Sequence, residues 1–171
     1  MWAKLGLTPP EPAPKLKTSA FASEEAAPAP PPPGLVNRAL QLLHDNEVDY
    51  TIFWRRLSER VAGRPVDRVR DLFLDRPAID VWLRDYQTAC AAQDPQARAT
   101  QGARMLQTNP KFVLRNHLGE LAIRAAQQQD FAPLAQLQAV LERPFDEHPG
   151  HEDWADFPPD WAASIHLSCS S

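Results

Sequence analysis

NPKFVLRNHLGELAIRAAQQQ, residues 109–129, is the stretch on which the fold class turns. It opens on Asn109-Pro110, a helix-start pair, and Leu114, Leu118, Leu121, Ala122 and Ala125 then recur three or four positions apart. On an α-helix that spacing makes one apolar stripe, with Arg115, Glu120, Arg124 and Gln128 facing elsewhere. The spacing predicts a helix over 110–129. Asp130 ends it and caps a second helix on Leu134, Leu137 and Leu141, which stops before Pro144.

The same grammar extends upstream. Asp94-Pro95 is another start signal, with Asp94 as N-cap, and Gly102 weakens the helix it opens. Asp75 and Pro77 begin a helix whose buried face is Ile79, Trp82, Leu83, Tyr86 and Cys90. A short helix is expected over 67–74, and Gly63-Arg64-Pro65 stops one over about 48–62 that carries Ile52, Phe53, Leu57 and Val61. From Leu35 on, Val36, Ala39, Leu40, Leu42 and Leu43 mark a further helix. No segment alternates apolar and polar residues strictly, so strands are not indicated. The expectation is a mostly α chain with helices over 35–143.

Both flanks differ. Residues 8–34 hold Pro9, Pro10, Pro12, Pro14, Pro28 and the run Pro30–Pro33. Proline lacks an N–H and fixes φ, so this reads as a disordered or polyproline-II linker. Residues 1–7 read as structured sequence, too short to fold alone. The tail over 144–171 is irregular and proline-rich, with Phe145, Trp154, Phe157 and Trp161. Burying one such aromatic stabilises by about 1.5–3 kcal/mol, so the tail is expected to lie pinned on a surface.

Charge and composition exclude several classes. All 18 Lys and Arg lie at or before Arg143, and six of the 22 acids follow it. The body is near neutral and the tail acidic, without the uncompensated basic face of a nucleic-acid binder. The stretch from Arg55 to Arg76 is interleaved with Glu59, Asp67, Asp71 and Asp75 and reads as a solvated surface with local ion pairs. No apolar run approaches the roughly 20 residues that span a membrane, and residues 1–7 lack a signal-peptide core. A cytoplasmic chain with neither nucleic acid nor membrane as partner is the expectation.

The search for chemistry is mostly negative. The six glycines lie at least 17 positions apart, so no phosphate-cradling loop assembles. No G-x-S-x-G, H-R-D or D-F-G motif occurs. Asp146, Glu147, His148, His151, Glu152 and Asp153 hold metal-ligand chemistry, but Pro149-Gly150 separates the two imidazoles, and a solvated acidic turn is the plainer reading. His117, beside Asn116 and Arg115, reads as a packed or surface histidine, with polar contact to a neighbouring domain as the other option. Cys90 reads as a buried structural thiol. Cys169, near the C-terminus with His166 nearby, is either a thiol open to oxidation or an idle residue.

Asn109-Pro110-Lys111-Phe112-Val113-Leu114-Arg115-Asn116-His117-Leu118 resembles a segment of the selenoprotein O (SelO) family, whose bacterial members are called YdiU. So do Ala122-Ile123-Arg124-Ala125-Ala126, Gln129-Asp130-Phe131, Arg143-Pro144-Phe145-Asp146, Pro158-Pro159-Asp160-Trp161 and Ser168-Cys169-Ser170-Ser171. Upstream, Asp49-Tyr50-Thr51 with Phe53 and Trp54, and Met1 to Leu7 with Trp2 replacing an arginine, are similar too. The likeness covers residues 1–7 and about 45–171. It implies a protein-kinase-like fold that binds ATP and Mg or Mn and transfers AMP, or UMP, to protein hydroxyls. The family's ATP-binding lysine, metal-binding Asp and Asn and catalytic Asp lie upstream of the matched region. None has a counterpart here, so no catalytic, cofactor or metal residue is assigned in this chain.

The resemblance also implies a redox role for Cys169, paired with a cysteine of the kinase-like core. Residues 1–7 then read as a remnant of that core. The expectation is the C-terminal helical region of a protein adenylyltransferase, inactive alone, whose partners are the kinase-like core and protein substrates. Such a chain would be a fragment, a split gene product or a mis-started frame. The alternative is a stand-alone helical interaction module.

Overall fold

The computed structural model describes residues 1–8, 34–65, 67–91 and 93–165. Nearly all of the proline-rich stretch and both His166 and Cys169 lie outside the described residues. Eight α-helices follow in order: α1 (Trp2–Leu5), α2 (Leu35–Asp45), α3 (Tyr50–Val61), α4 (Asp67–Arg70), α5 (Arg76–Ala91), α6 (Pro95–Thr108), α7 (Asn116–Gln127) and α8 (Ala132–Glu142). Two 3₁₀ turns, Glu152–Ala155 and Asp160–Ser164, end the described chain, and no strand occurs among the described residues.

The carboxylates at Asp75 and Asp94 sit at helix starts as the sequence puts them, and Asp49 is a further cap that the sequence reading did not name. Asp49 accepts from the Ile52 amide at 2.9 Å, Asp75 from Ala78 at 3.0 Å and Asp94 from Ala97 at 2.8 Å. Each satisfies an amide that a first helical turn leaves unpaired. Asp130 accepts from the Ala132 amide at 3.0 Å, at the entry to α8.

α3 is the central element. Ile52, Phe53, Trp54, Arg55, Leu57, Ser58 and Glu59 are all buried, so nearly its whole circumference is covered. α6 packs along it, α2 packs on α5, and α1 contacts both α3 and α6. The core between them is aromatic. Phe53 meets Trp54, Phe73 and Trp82 edge-on at 4.8, 5.7 and 5.9 Å, and Trp82 stacks on Tyr86 at 5.3 Å. Edge-on and offset pairs of this kind add to the area they bury.

Residues 1–7 belong to this core. Leu5 is fully buried and Leu7 nearly so, beside Leu35, Leu57, Met105 and Tyr86.

Gly102 of α6 reverses the expectation of a weak point. A Cβ there would lie 2.7 Å from the Ala62 Cα and 2.8 Å from its amide nitrogen. Glycine lets the end of α3 approach α6 backbone to backbone. Gly102→Ala should therefore destabilise by about 1–3 kcal/mol through overpacking, although alanine is the better helix former by about 1 kcal/mol. A lowered urea midpoint checks the sign.

The helix expected over 110–129 starts six residues late. Residues 109–115 are non-helical, and α7 begins at Asn116. The position before a proline disfavours helical backbone. The Lys111 and Phe112 amides then find the Pro144 carbonyl, at 2.8 and 3.0 Å, in place of a helical turn. Asn109 is no N-cap; its side chain is wholly buried against Lys4 and Ser58. The stripe changes accordingly: Leu118 and Ala122 are buried with His117, whereas Leu114 is 63% and Leu121 46% exposed.

α7 and α8 form an antiparallel pair around a second apolar cluster of Leu118, Ala122 and Leu137, with Leu141 and Trp154 against it. Leu134 is exposed and Val140, absent from the sequence reading, is buried. Trp154 thus pins the tail as expected, but Phe145, Phe157 and Trp161 are at least two-fifths exposed.

Candidate functional site

The most chemically loaded surface is a cleft of about 390 Å³ along α3, closed on the far side by the tail. α3 contributes Arg55, Arg56 and Glu59; the following loop contributes Arg64 and α4 Arg68. Lys111 comes from the extended segment, and Glu147, Glu152, Asp153 and Asp156 from the tail.

Arg55 is its centre. The side chain is 8% exposed, and its guanidinium reaches Glu59 at 3.4 Å, Glu147 at 3.1 Å and the Phe145 carbonyl at 3.2 Å. It also donates at 3.4 Å to the Leu106 and Asn109 carbonyls. Glu59 is equally buried, with Arg68 at 3.3 Å and Arg64 at 3.6 Å. A planar fork with five N–H donors is the side chain suited to so many acceptors. This corrects the reading of the Arg55–Arg76 stretch as wholly solvated. Arg70 with Asp80 and Arg76 with Asp71 do form partly or fully exposed pairs, but Arg55 and Glu59 lie inside. Their i,i+4 spacing was the available signal.

Glu147 links the tail to this hub through Lys111, Arg55 and Arg64. The hydrogen bond from Lys111 holds its carboxyl below the ordinary value of 4.5, with Arg55 and Arg64 helping and partial burial opposing. A carboxyl with a depressed folded pKa stabilises above its unfolded pKa and loses that contribution as pH falls through the folded value. Tail docking should therefore weaken as pH drops below about 4.5, and Glu147→Gln should flatten that response. Protection factors of the Lys111 and Phe112 amides, which depend on the docked Pro144 carbonyl, report it.

The cleft carries five cationic and five carboxylate side chains, and its most buried arginine is already engaged. Its formal charges therefore balance, without the excess of cations that would draw in an anion such as a triphosphate. Among the described residues, no three His, Cys, Asp or Glu side chains stand together as a metal site. The acidic and imidazole cluster of the tail disperses: Glu147 turns to the arginines, His148 Nε2 sits 2.9 Å from the Arg143 carbonyl, and His151 lies against Trp154. Among the described residues, the donors of this cleft are spent on one another and are not the set that Mg-ATP calls for.

The other singled-out residues have local partners. Arg115 pairs with Asp49 at 2.7 Å. Burial and the neighbouring Arg115 hold the His117 imidazole below its usual range, and its ring meets Trp161 at 6.0 Å. Cys90 is half-buried and accepts from Gln101 Nε2 at 3.2 Å; burial pushes its thiol up, away from the reactive thiolate.

The family model described as protein adenylyltransferase SelO matches residues 1–142. The chain belongs to the SelO family. It is 53% identical over 146 residues to the protein nucleotidyltransferase YdiU of Variovorax paradoxus, covering 85% of this chain and 29% of that protein. With YdiU of Albidiferax ferrireducens it shares 54% identity over 137 residues, 80% of this chain and 27% of the relative. YdiU of Paraburkholderia xenovorans is 48% identical over 140 residues, again covering 27% of its length. The chain thus spans under a third of the curated relatives it matches. Among the described residues of this SelO-family chain, no helix is long and apolar enough to cross a membrane.

Proposed function

We propose that this chain is the C-terminal helical region of a SelO-type protein nucleotidyltransferase, packing on a kinase-like catalytic part and holding no nucleotide site itself. The carrying observation is family membership over residues 1–142 in a chain that spans under a third of its relatives. The remaining length of those relatives would supply the ATP and Mg or Mn site for moving AMP, or UMP, onto Ser, Thr or Tyr hydroxyls of cytoplasmic proteins. Cys169 would serve redox control by pairing with a cysteine of that part. Partners would be the kinase-like core and protein substrates, with neither nucleic acid nor membrane among them.

A second observation supports a covering role. Leu114, Leu121, Ile123, Phe131 and Leu134, on or beside the α7–α8 pair, are each 46–63% exposed. Large apolar side chains left exposed on one unit of a fold are surface that another part of a longer protein can cover.

The test is complementation. A YdiU relative truncated before the matched region is mixed with this chain, and labelled ATP is offered with a protein acceptor. Transfer restored by the mixture, and weakened at least tenfold by Leu121→Asp with Ile123→Asp, is the expected result. Label transferred by this chain alone would overturn the reading. A mixture as inactive as the truncated relative, with both chains folded, would favour a stand-alone interaction module.

A further inference from the structure

Residues 1–7 are held much as a receptor groove holds a short peptide. Leu5 and Leu7 are buried, and the backbone carbonyls between them are met by side chains of other elements. The Tyr86 hydroxyl donates to the Leu5 carbonyl at 2.8 Å, and Gln101 Nε2 donates to it at 3.3 Å. Gln93 donates to the Gly6 carbonyl at 3.3 Å. Asn109 reads Lys4 twice, donating to its carbonyl at 3.0 Å and accepting from its ammonium at 3.1 Å. The same ammonium lies 5.5 Å from the Tyr50 ring centre.

The position between the two leucines favours glycine. Gly6 has φ 66°, and a Cβ there would lie 2.5 Å from Gln101 Cγ and 2.8 Å from the Met105 side chain. Apolar anchors in pockets, with a few placed polar groups on the main chain, are how proteins recognise small ligands. Residues 9–33 join this segment to α2, so the covalent connection is long and runs through the proline-rich stretch.

We propose that the groove between α3, α5 and α6 is a peptide-binding site, and that residues 1–7 are its tethered, reversibly bound ligand. Its chemistry selects a short segment reading Lys-Leu-Gly-Leu, as residues 4–7 do. Tethering raises the local concentration of the segment and keeps the groove filled.

The full chain, with a specific protease site inserted within residues 9–33, provides the test. After cleavage, a fluorescent synthetic peptide of residues 1–8 is titrated in and its anisotropy followed. Expected are an unchanged helical circular dichroism signal, saturable uptake by the cut chain, and uptake at least tenfold weaker by the uncut chain. The peptide carrying Gly6→Ala should compete at least tenfold less well. Loss of helical signal on cutting and dilution would make the segment an inseparable part of the core and overturn the proposal. No exchange over days, equal uptake by cut and uncut chains, or undiminished competition by the Gly6→Ala peptide would overturn it as well.

Discussion

Arg55→Leu is expected to lower the unfolding free energy by about 3–5 kcal/mol, the range for removing one partner of a buried ion pair. The leucine fills much of the space but leaves three carbonyls, those of Leu106, Asn109 and Phe145, without this donor. It also leaves the buried Glu59 with Arg64 and Arg68 alone, whose side chains are each just over half exposed. Their attraction is diluted by water, whereas that of Arg55 is not. Arg55→Lys keeps the charge and loses the fork, so it should recover only part of the loss. Urea unfolding followed by circular dichroism measures both variants. A loss below about 1 kcal/mol for Arg55→Leu, the scale of a surface pair, would contradict the hub.

Trp82→Ala should cost a similar amount, about 3–5 kcal/mol, for a different reason. Trp82 is 2% exposed, stacks on Tyr86 and meets Phe53 edge-on, so its loss opens a cavity at the centre of the aromatic core. Its Nε1 also donates to the Leu35 carbonyl at 2.9 Å, joining α5 to the first residue of α2. Trp82→Phe separates the two effects, because it keeps most of the ring and drops the donor. That variant should lose about 1–3 kcal/mol through the smaller ring and the lost hydrogen bond. Equal losses for the two variants would mean that the hydrogen bond, and not the packing, carries the site.

Much of this architecture was legible in the sequence because it rests on local signals. The aspartates at 75, 94 and 130 stand at or beside helix starts, where a carboxylate can accept from an unpaired amide. Ile79, Trp82, Leu83 and Tyr86 keep helical spacing and share a buried face. What the sequence concealed depends on partners far along the chain. The Pro144 carbonyl takes the amides of Lys111 and Phe112, so periodicity alone extended α7 too far. Asn109 looked like a cap because nothing local reveals that Lys4 and Ser58 will reach it. Gly102 looked like a weakness because propensity does not see Ala62 across the helix crossing.

The candidate site was less legible still. Individual residues in the tail suggested metal chemistry, but their alternation with Pro149-Gly150 lets Glu147, His148 and His151 turn to different neighbours. The Arg55–Glu59 pair has an ordinary surface spacing, and only the burial of α3 on almost every side makes it interior.

The two apolar clusters have a consequence for how the molecule comes apart. The aromatic core around α3 and the smaller one between α7 and α8 share no residue, and ion pairs are among what joins the segments around them: Arg115 with Asp49, and Arg55 and Lys111 with Glu147. Dissolved salt weakens a charge pair at a half-exposed carboxylate such as Glu147 far more than it weakens buried carbon. Ionic strength thus acts on the exposed side of the Glu147 joint before it acts on either cluster.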